Sequence, residues 1–306
     1  MRIAFLGTPE FALPSLRALI ERGDTLAVFT QPDRPVGRKA ILTPPPVKVL
    51  AGQFGVPVFQ FEKIRSIEGR EALEAFAPEL TVTAAFGQFL SAANLAIPRF
   101  GTINVHGSLL PRYRGASPIQ SAILAGESET GVTTMMTELG MDAGDILLQA
   151  RTPIDPDETY GQLSERLSVL GAEVLLETLD ALENGTLVRT PQDPDKATVC
   201  HMLTKEDGKL DFSLPAKAVH DRVRGTNPWP CAFAELDGQP LKIYETKRAS
   251  VSVCGAPGTL SEREGRLYVC CADELLEIVS LQASGKKRMD AQTFLLGRPM
   301  DGKVLC

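Results

Sequence analysis

Asn104 and His106 stand two residues apart in the run GTINVHG (101–107), and on a strand that spacing puts both on one face while Ile103 and Val105 take the other. An amide N–H can hold a developing oxyanion and an imidazole can take or give a proton, so the pair has the parts of an acyl-transfer site. Further along, ELGMDAGDI (138–146) carries Asp142 and Asp145 in a glycine-flanked turn, where a carboxylate could orient the imidazole or accept a proton. Each residue also has an ordinary use: a strand-end histidine as hydrogen-bonded scaffold, turn aspartates as turn formers. Two carboxylates are too few for a divalent metal site, and none is expected.

Other motifs exclude chemistries. Gly7 in the opening LGTPEF could let a helix N-terminus approach a ligand, but G-x-G-x-x-G needs three glycines and no G-x-x-x-x-G-K-[ST] occurs. The six cysteines (Cys200, Cys231, Cys254, Cys270, Cys271, Cys306) lie in the last third without a C-x-x-C pair, which suits buried small hydrophobes rather than disulfides or zinc.

The elements that must position these residues alternate. Apolar runs at 2–7 and 25–30 flank a helical stripe ended by Gly23, and strand-like runs recur at 79–87, 101–107, 131–139 and 145–154. A helix is expected from Ser117-Pro118 to Gly126, and a long amphipathic one from Thr159 that Gly185 can end. This is an α/β chain with a doubly wound, mainly parallel sheet. After residue 186 two prolines and several charged clusters suggest a linker over 187–204. Beyond it a helix at about 214–224 and short strands at 231–236, 240–248, 266–272 and 275–281 read as a small barrel or sandwich. The organisation expected is thus 1–186, a linker at 187–204, and 205–306, the first part able to fold without the last.

At 306 residues, 43% hydrophobic and 23% charged, the chain can fill two ordinary cores, and the N-terminus lacks the continued apolar run of a signal peptide. A cytoplasmic protein is expected. The net charge of -6 argues against unspecific nucleic-acid binding, so a polyanion would be met by local patches. One is the five-proline segment QPDRPVGRKAILTPPPVK (31–48), where Arg34, Arg38, Lys39 and Lys48 face one Asp33 and the prolines should resist regular strand or helix. Another is Lys286, Lys287 and Arg288, which by itself reads equally as a solvated turn.

Taken together, INVHGSLLP, RYRGASPIQ, GMDAGDI, LGTPEF, TQPDRPVGR, PPPVKVLA, AAFGQFL, NPWP (227–230), GQPLKI (239–243 and its lead-in) and SLQASGKKRM resemble the 10-formyltetrahydrofolate-dependent formyltransferases over most of the chain. The resemblance implies a Rossmann-like domain followed by a smaller OB-fold-like barrel. It implies Asn104, His106 and Asp142 as catalytic residues. Ser108, Leu109, Leu110 and Pro111 would contact the folate, and Phe86, Gly87, Gln88 and Leu90 would wall the same pocket. It further implies 10-formyltetrahydrofolate as cosubstrate, no metal, and, from the motifs beyond the linker, initiator methionyl-tRNA as acceptor. Arg38, Lys39, Lys286, Lys287 and Arg288 would then meet the tRNA, with the protein a monomer. One departure is that Ala40 and Ile41 follow Arg38-Lys39 where family members carry further basic residues. Formylation of another amine, such as glycinamide ribonucleotide or an amino sugar, and a catalytically silent RNA-binding chain are the competing readings.

Overall fold

Strands buried on both faces favour parallel pairing under crossover helices, and the first half of the chain supplies five such runs, of which four pair in parallel. The computed structural model describes every residue except Arg38, Val253 and Cys254 and the side chain of Ser250. In chain order, β1 (Arg2–Gly7), α1 (Leu13–Arg22) and β2 (Thr25–Thr30) form the opening crossover, followed by a hairpin of β3 (Arg34–Val36) and β4 (Ile41–Thr43). Next come α2 (Pro46–Gln53), β5 (Val58–Gln60), α3 (Ile67–Phe76), β6 (Leu80–Ala84), α4 (Ala92–Leu95), β7 (Thr102–His106) and the short β8 (Arg114–Gly115). Then α5 (Pro118–Leu124), β9 (Glu129–Met136), β10 (Ile146–Pro153), α6 (Tyr160–Glu183) and the short β11 (Val199–Cys200) complete this half.

Seven strands make one sheet in the order β10-β9-β7-β6-β1-β2-β5. The pairs β1–β2, β1–β6, β2–β5 and β6–β7 are parallel, while β9 runs antiparallel to β7. From β1 the chain winds outward through β2 to β5, then returns to β6 on the other side. That reversal is the place where open α/β sheets bind ligands, beyond the strands' carboxyl ends. Ile3 to Leu6 of β1 are fully buried at its centre. Gly185 (φ +69) ends α6 as read, with its N–H on Leu182 O at 3.2 Å and Thr186 N–H on Ala181 O at 2.9 Å.

The five-proline segment is more regular than expected. Pro35 sits in a two-stranded ladder opposite Leu42, and both strands of such a ladder are edge strands, where proline is tolerated. Pro46 takes the first position of α2, where an N–H has no intrahelical partner anyway. Residues 187–204 are also less free than a linker: β11 pairs in parallel with β8.

The chain forms two compact units, one of residues 1–118, 130–152 and 164–200, the other of 119–129, 153–163 and 201–306. The second contains α7 (Ala216–Gly225), β12 (Ala232–Leu236), β13 (Gln239–Ser252), β14 (Leu260–Arg263), β15 (Arg266–Cys270), β16 (Glu274–Ala283), β17 (Met289–Asp290) and α8 (Ala291–Leu295). Its sheet is antiparallel, in the order β12-β13-β16-β15-β14 with β17 beside β16, over a core that includes Val219, Val223, Ile243, Leu267, Leu276 and Phe294. The tail bridges both edges: Leu305 pairs with Leu236 at the end of β12, and Val304 with Thr259 before β14. Cys200, Cys231, Cys270 and Cys271 are buried as expected, Cys306 is exposed, and Cys254 lies outside the described residues. Burial pushes the Cys271 thiol up to about 12, with Asp273 adding to the effect. Among the described residues no helix is long and apolar enough to cross a membrane.

Candidate active site

β6 and β7 end side by side, with Thr83 opposite Asn104 in the parallel register, and on the other flank Thr133 of β9 stands opposite His106. Both neighbours are hydroxyls, and both are used. The Thr83 hydroxyl donates to Asn104 Oδ1 at 2.8 Å, which fixes the amide plane and leaves its Nδ2 donors without a partner among the described residues. Thr133 Oγ1 donates to Ser108 O at 2.7 Å and accepts from Leu110 N–H at 3.2 Å. Gln149 Nε2 donates to Leu110 O and to Thr133 Oγ1, each at 2.9 Å. The loop after β7 is thereby tied back to the sheet.

The His106 ring is buried, and its Nε2 lies 2.9 Å from the Tyr113 carbonyl. A carbonyl only accepts, so Nε2 carries the proton of the neutral ring and Nδ1 is left as the basic nitrogen. Nδ1 lies 3.7 Å from Asp142 Oδ2, beyond hydrogen-bond length. The sequence suggests Asp142 as the orienting group, whereas here the Tyr113 carbonyl orients the ring and the carboxylate stands beside it as a negative charge. With the proton on Nε2, Nδ1 has none to give, and Asp142 Oδ2 accepts the Gly115 N–H at 2.8 Å instead. That bond depends on a tight approach: a Cβ at Gly115 (φ +112) would stand 2.3 Å from Cys200 O, and one at Gly144 would stand 2.0 Å from Met136 O.

The segments expected at the folate differ in what they expose. Ser108 and Leu110 are buried, and the Ser108 hydroxyl donates to Arg112 O at 2.7 Å, while Leu109 and Pro111 are half-buried. Phe86 is buried and its carbonyl accepts from Thr8 Oγ1 at 3.0 Å and from Gln31 Nε2 at 3.2 Å. Gln88 accepts from Ile64 N–H at 2.6 Å and donates to Phe61 O at 2.9 Å. Gly87 (φ +75) and the half-buried Leu90 complete a loop that leaves the sheet beside the end of β7. Ser108 and Gln88 thus spend their polar groups on shaping loops.

Of the residues expected at a nucleic acid, Lys39 is exposed between β3 and β4, and Arg38 lies outside the described residues. Lys48 is spent on Asp33 at 2.8 Å and Gln60 at 2.8 Å, and that contact holds the Asp33 carboxyl below its usual range. In the second unit Lys286 and Lys287 are exposed, but Arg288 lies over the Tyr244 ring at 4.6 Å and donates to Ser280 Oγ at 2.8 Å. Sequence reasoning missed Thr83, Thr133, Gln149 and Tyr113. The two threonines had a signal, polar residues inside apolar strands that must pair with β7; the Tyr113 carbonyl had none.

A parallel-centred sheet with an amide and an imidazole at the carboxyl end of β7 and a carboxylate from the turn after β9 beside them is the framework of a group-transfer enzyme. The chain belongs to the formyl transferase family: the family described as Formyl transferase matches residues 1–179, and its C-terminal domain matches residues 202–299. It is 52% identical over 300 residues to the methionyl-tRNA formyltransferase of Geotalea uraniireducens, covering 97% of this chain and 95% of that one. It is 48% identical over 300 residues to the methionyl-tRNA formyltransferase of Geobacter sulfurreducens, covering 97% and 94%. Among solved structures, an N-formyltransferase from Helicobacter canadensis in complex with folinic acid and dTDP-3-aminofucose shares the fold, with a TM-score of 0.70 at 17% identity over 94% of this chain and 100% of that one. HypX from Aquifex aeolicus in complex with tetrahydrofolic acid does so with a TM-score of 0.66 at 19% identity, over 96% and 47%.

Proposed function

We propose that the chain transfers the formyl group of 10-formyltetrahydrofolate to the α-amine of initiator methionyl-tRNA, with Asn104, His106 and Asp142 carrying the chemistry. The observation that supports this most directly is the arrangement around His106: one ring nitrogen is held by a carbonyl, the other faces the Asp142 carboxylate, and Asn104 stands two residues earlier on the same strand.

The amine nitrogen attacks the formyl carbon, the bond from that carbon to N10 breaks, and tetrahydrofolate leaves. One proton is lost by the amine and one is gained by N10. Asn104 Nδ2 donates to the oxyanion of the tetrahedral intermediate. His106 Nδ1 takes the proton from the attacking nitrogen and returns one to N10, with the Asp142 carboxylate beside the ring while it carries the charge. An aminoacyl amine needs little deprotonation near neutral pH, so positioning and oxyanion binding supply most of the acceleration.

Residues 1–186 serve as the catalytic domain, 187–204 as the connection and 205–306 as a tRNA-binding domain. Leu109, Pro111 and the 86–90 loop contact the folate; Arg38, Lys39, Lys286 and Lys287 contact phosphates, with Arg288 contributing from its stacked position. The protein works as a monomer in the cytoplasm: a trio carried by one chain needs no second copy, and its proposed acceptor is a translation substrate. The test incubates the protein with 10-formyltetrahydrofolate and initiator Met-tRNA, elongator Met-tRNA, uncharged tRNA or glycinamide ribonucleotide and follows formylation of each. Turnover of initiator Met-tRNA above the others is expected; preference for glycinamide ribonucleotide would refute the reading.

A further inference from the structure

Gln192 lies in the stretch that the sequence marks as a connection, yet all its amide hydrogen-bonding capacity is used at the active site. Its Oε1 accepts from Arg114 Nε at 3.0 Å and Nη2 at 2.8 Å. Its Nε2 donates to Asp142 O at 2.8 Å and to Gly144 O at 2.7 Å. Arg114 belongs to the loop whose neighbouring residue, Tyr113, holds His106 Nε2, and the next residue, Gly115, holds Asp142 Oδ2 at 2.8 Å. The half-buried amide therefore closes a ring of contacts running Asp142, Gly115, Arg114, Gln192 and back to Asp142. The same stretch grips the loop again, since Tyr113 N–H donates to Thr198 Oγ1 and Arg114 N–H to Thr198 O, each at 2.8 Å.

The ring has something to hold. Tyr113 and Asp142 both adopt left-handed backbone conformations, with φ of +60 and +46. A non-glycine residue keeps that geometry only where its surroundings over-determine it. The Asp142 turn and the Tyr113 loop come from distant parts of the chain, and the 3.7 Å gap from His106 Nδ1 to Asp142 Oδ2 is set by how they are pinned to each other.

We propose that Gln192 is a positioning residue for formyl transfer: by joining the Asp142 turn to the Arg114 loop it sets where the Asp142 carboxylate stands relative to the His106 ring. This rests on the assignment of Asp142 to the chemistry. A glutamine is suited to the place because one planar group supplies two acceptor sites for a guanidinium and two donors for carbonyls. Glutamate would keep the Arg114 half and lose both donors.

The test is a double-mutant cycle on the full-length protein with Q192A, D142N and the pair, plus Q192E, reading kcat, KM for 10-formyltetrahydrofolate and for initiator Met-tRNA, and the thermal midpoint. Q192A and Q192E are expected to lower kcat about tenfold with both KM values within about twofold of wild type. In the D142N background, removal of Gln192 is expected to change kcat less than about twofold, because the carboxylate it places is already gone. Wild-type kcat for Q192A or Q192E, or an equal loss with and without the Asp142 carboxylate, would overturn the proposal. So would a loss of kcat matched by the loss of folded protein at the assay temperature. Wild-type kcat for D142N would instead overturn the catalytic assignment beneath it.

Discussion

His106 offers one nitrogen to a reaction because the other is occupied, and this makes the consequences of changing it specific. Replacing His106 with Ala, or Asp142 with Asn, should lower kcat about a hundredfold or more while folate and tRNA binding stay near wild type. Steady-state kinetics with each substrate varied in turn checks this, and an effect confined to KM would take the residue out of the chemistry. His220 in the second unit follows the same tautomer logic for a different end. Its Nε2–H meets Pro156 O at 3.0 Å and its Nδ1 accepts from Thr246 Oγ1 at 2.9 Å, so the neutral ring is fully bonded. Burial is the largest influence and lowers its pKa below the ordinary 6.5, with Arg224 acting in the same direction and the Pro156 carbonyl, Asp157 and Asp221 against it. The unfolded chain therefore binds the extra proton first. The stability this histidine contributes is whole above about pH 6.5 and is lost as pH falls toward its folded-state value. Thermal unfolding of wild type and His220→Gln between about pH 7.5 and 5 should show a shallower decline in the variant; equal slopes would mean that other groups set the acid limb.

At the scale of elements, the hairpin β3–β4 and the β8–β11 ladder were the least legible parts of the fold. Both are short, so neither offers enough residues for a periodic pattern. The prolines of 31–48 spoke against structure, yet they occupy the positions that tolerate them. The net positive charge read from that segment is also smaller in effect, because Lys48 pairs with Asp33 and Arg34 with Glu62. This concentrates the expectation on the hairpin tip. Lys39→Ala should raise KM for Met-tRNA and reduce the slope of its log–log salt dependence by about one unit, the amount for one lost phosphate contact. Folate binding should not change. A salt series with identical tRNA kinetics for variant and wild type would leave the hairpin without a part in recognition.

For the whole molecule, the expectation that the first part folds without the last meets a structural difficulty. Residues 119–129 and 153–163 belong to the second unit, where they find their partners. The Arg224 guanidinium donates to Asp155 O at 3.3 Å and Glu158 O at 3.2 Å, and Gly161 N–H donates to Asn227 O at 3.1 Å. Gln120 Nε2 donates to Trp229 O, and Lys217 Nζ to Gly126 O, each at 3.3 Å. A chain ended at residue 204 loses all of these. With each lost bond worth about 1 kcal/mol, its thermal midpoint should fall on the order of 10 °C below the full chain, and its turnover of Met-tRNA should be poor. Calorimetry on the two proteins checks this, and equal midpoints would show that the two segments hold themselves in place.

The alternation of apolar runs with amphipathic stripes was enough to specify a parallel-centred sheet, because strands joined through crossover helices run parallel and have both faces covered. The two-residue spacing of Asn104 and His106 was enough to put them on one face, because strand side chains alternate. What these local rules do not contain is the approach of distant loops. That Tyr113 O rather than Asp142 holds the His106 ring, and that Gln192 meets Asp142 across 50 residues of chain, follows from backbone paths fixed by packing. No local pattern reports such contacts, since a carbonyl carries no residue identity and a glutamine in a proline-containing stretch resembles any solvated polar side chain until the sheet brings its partners to it.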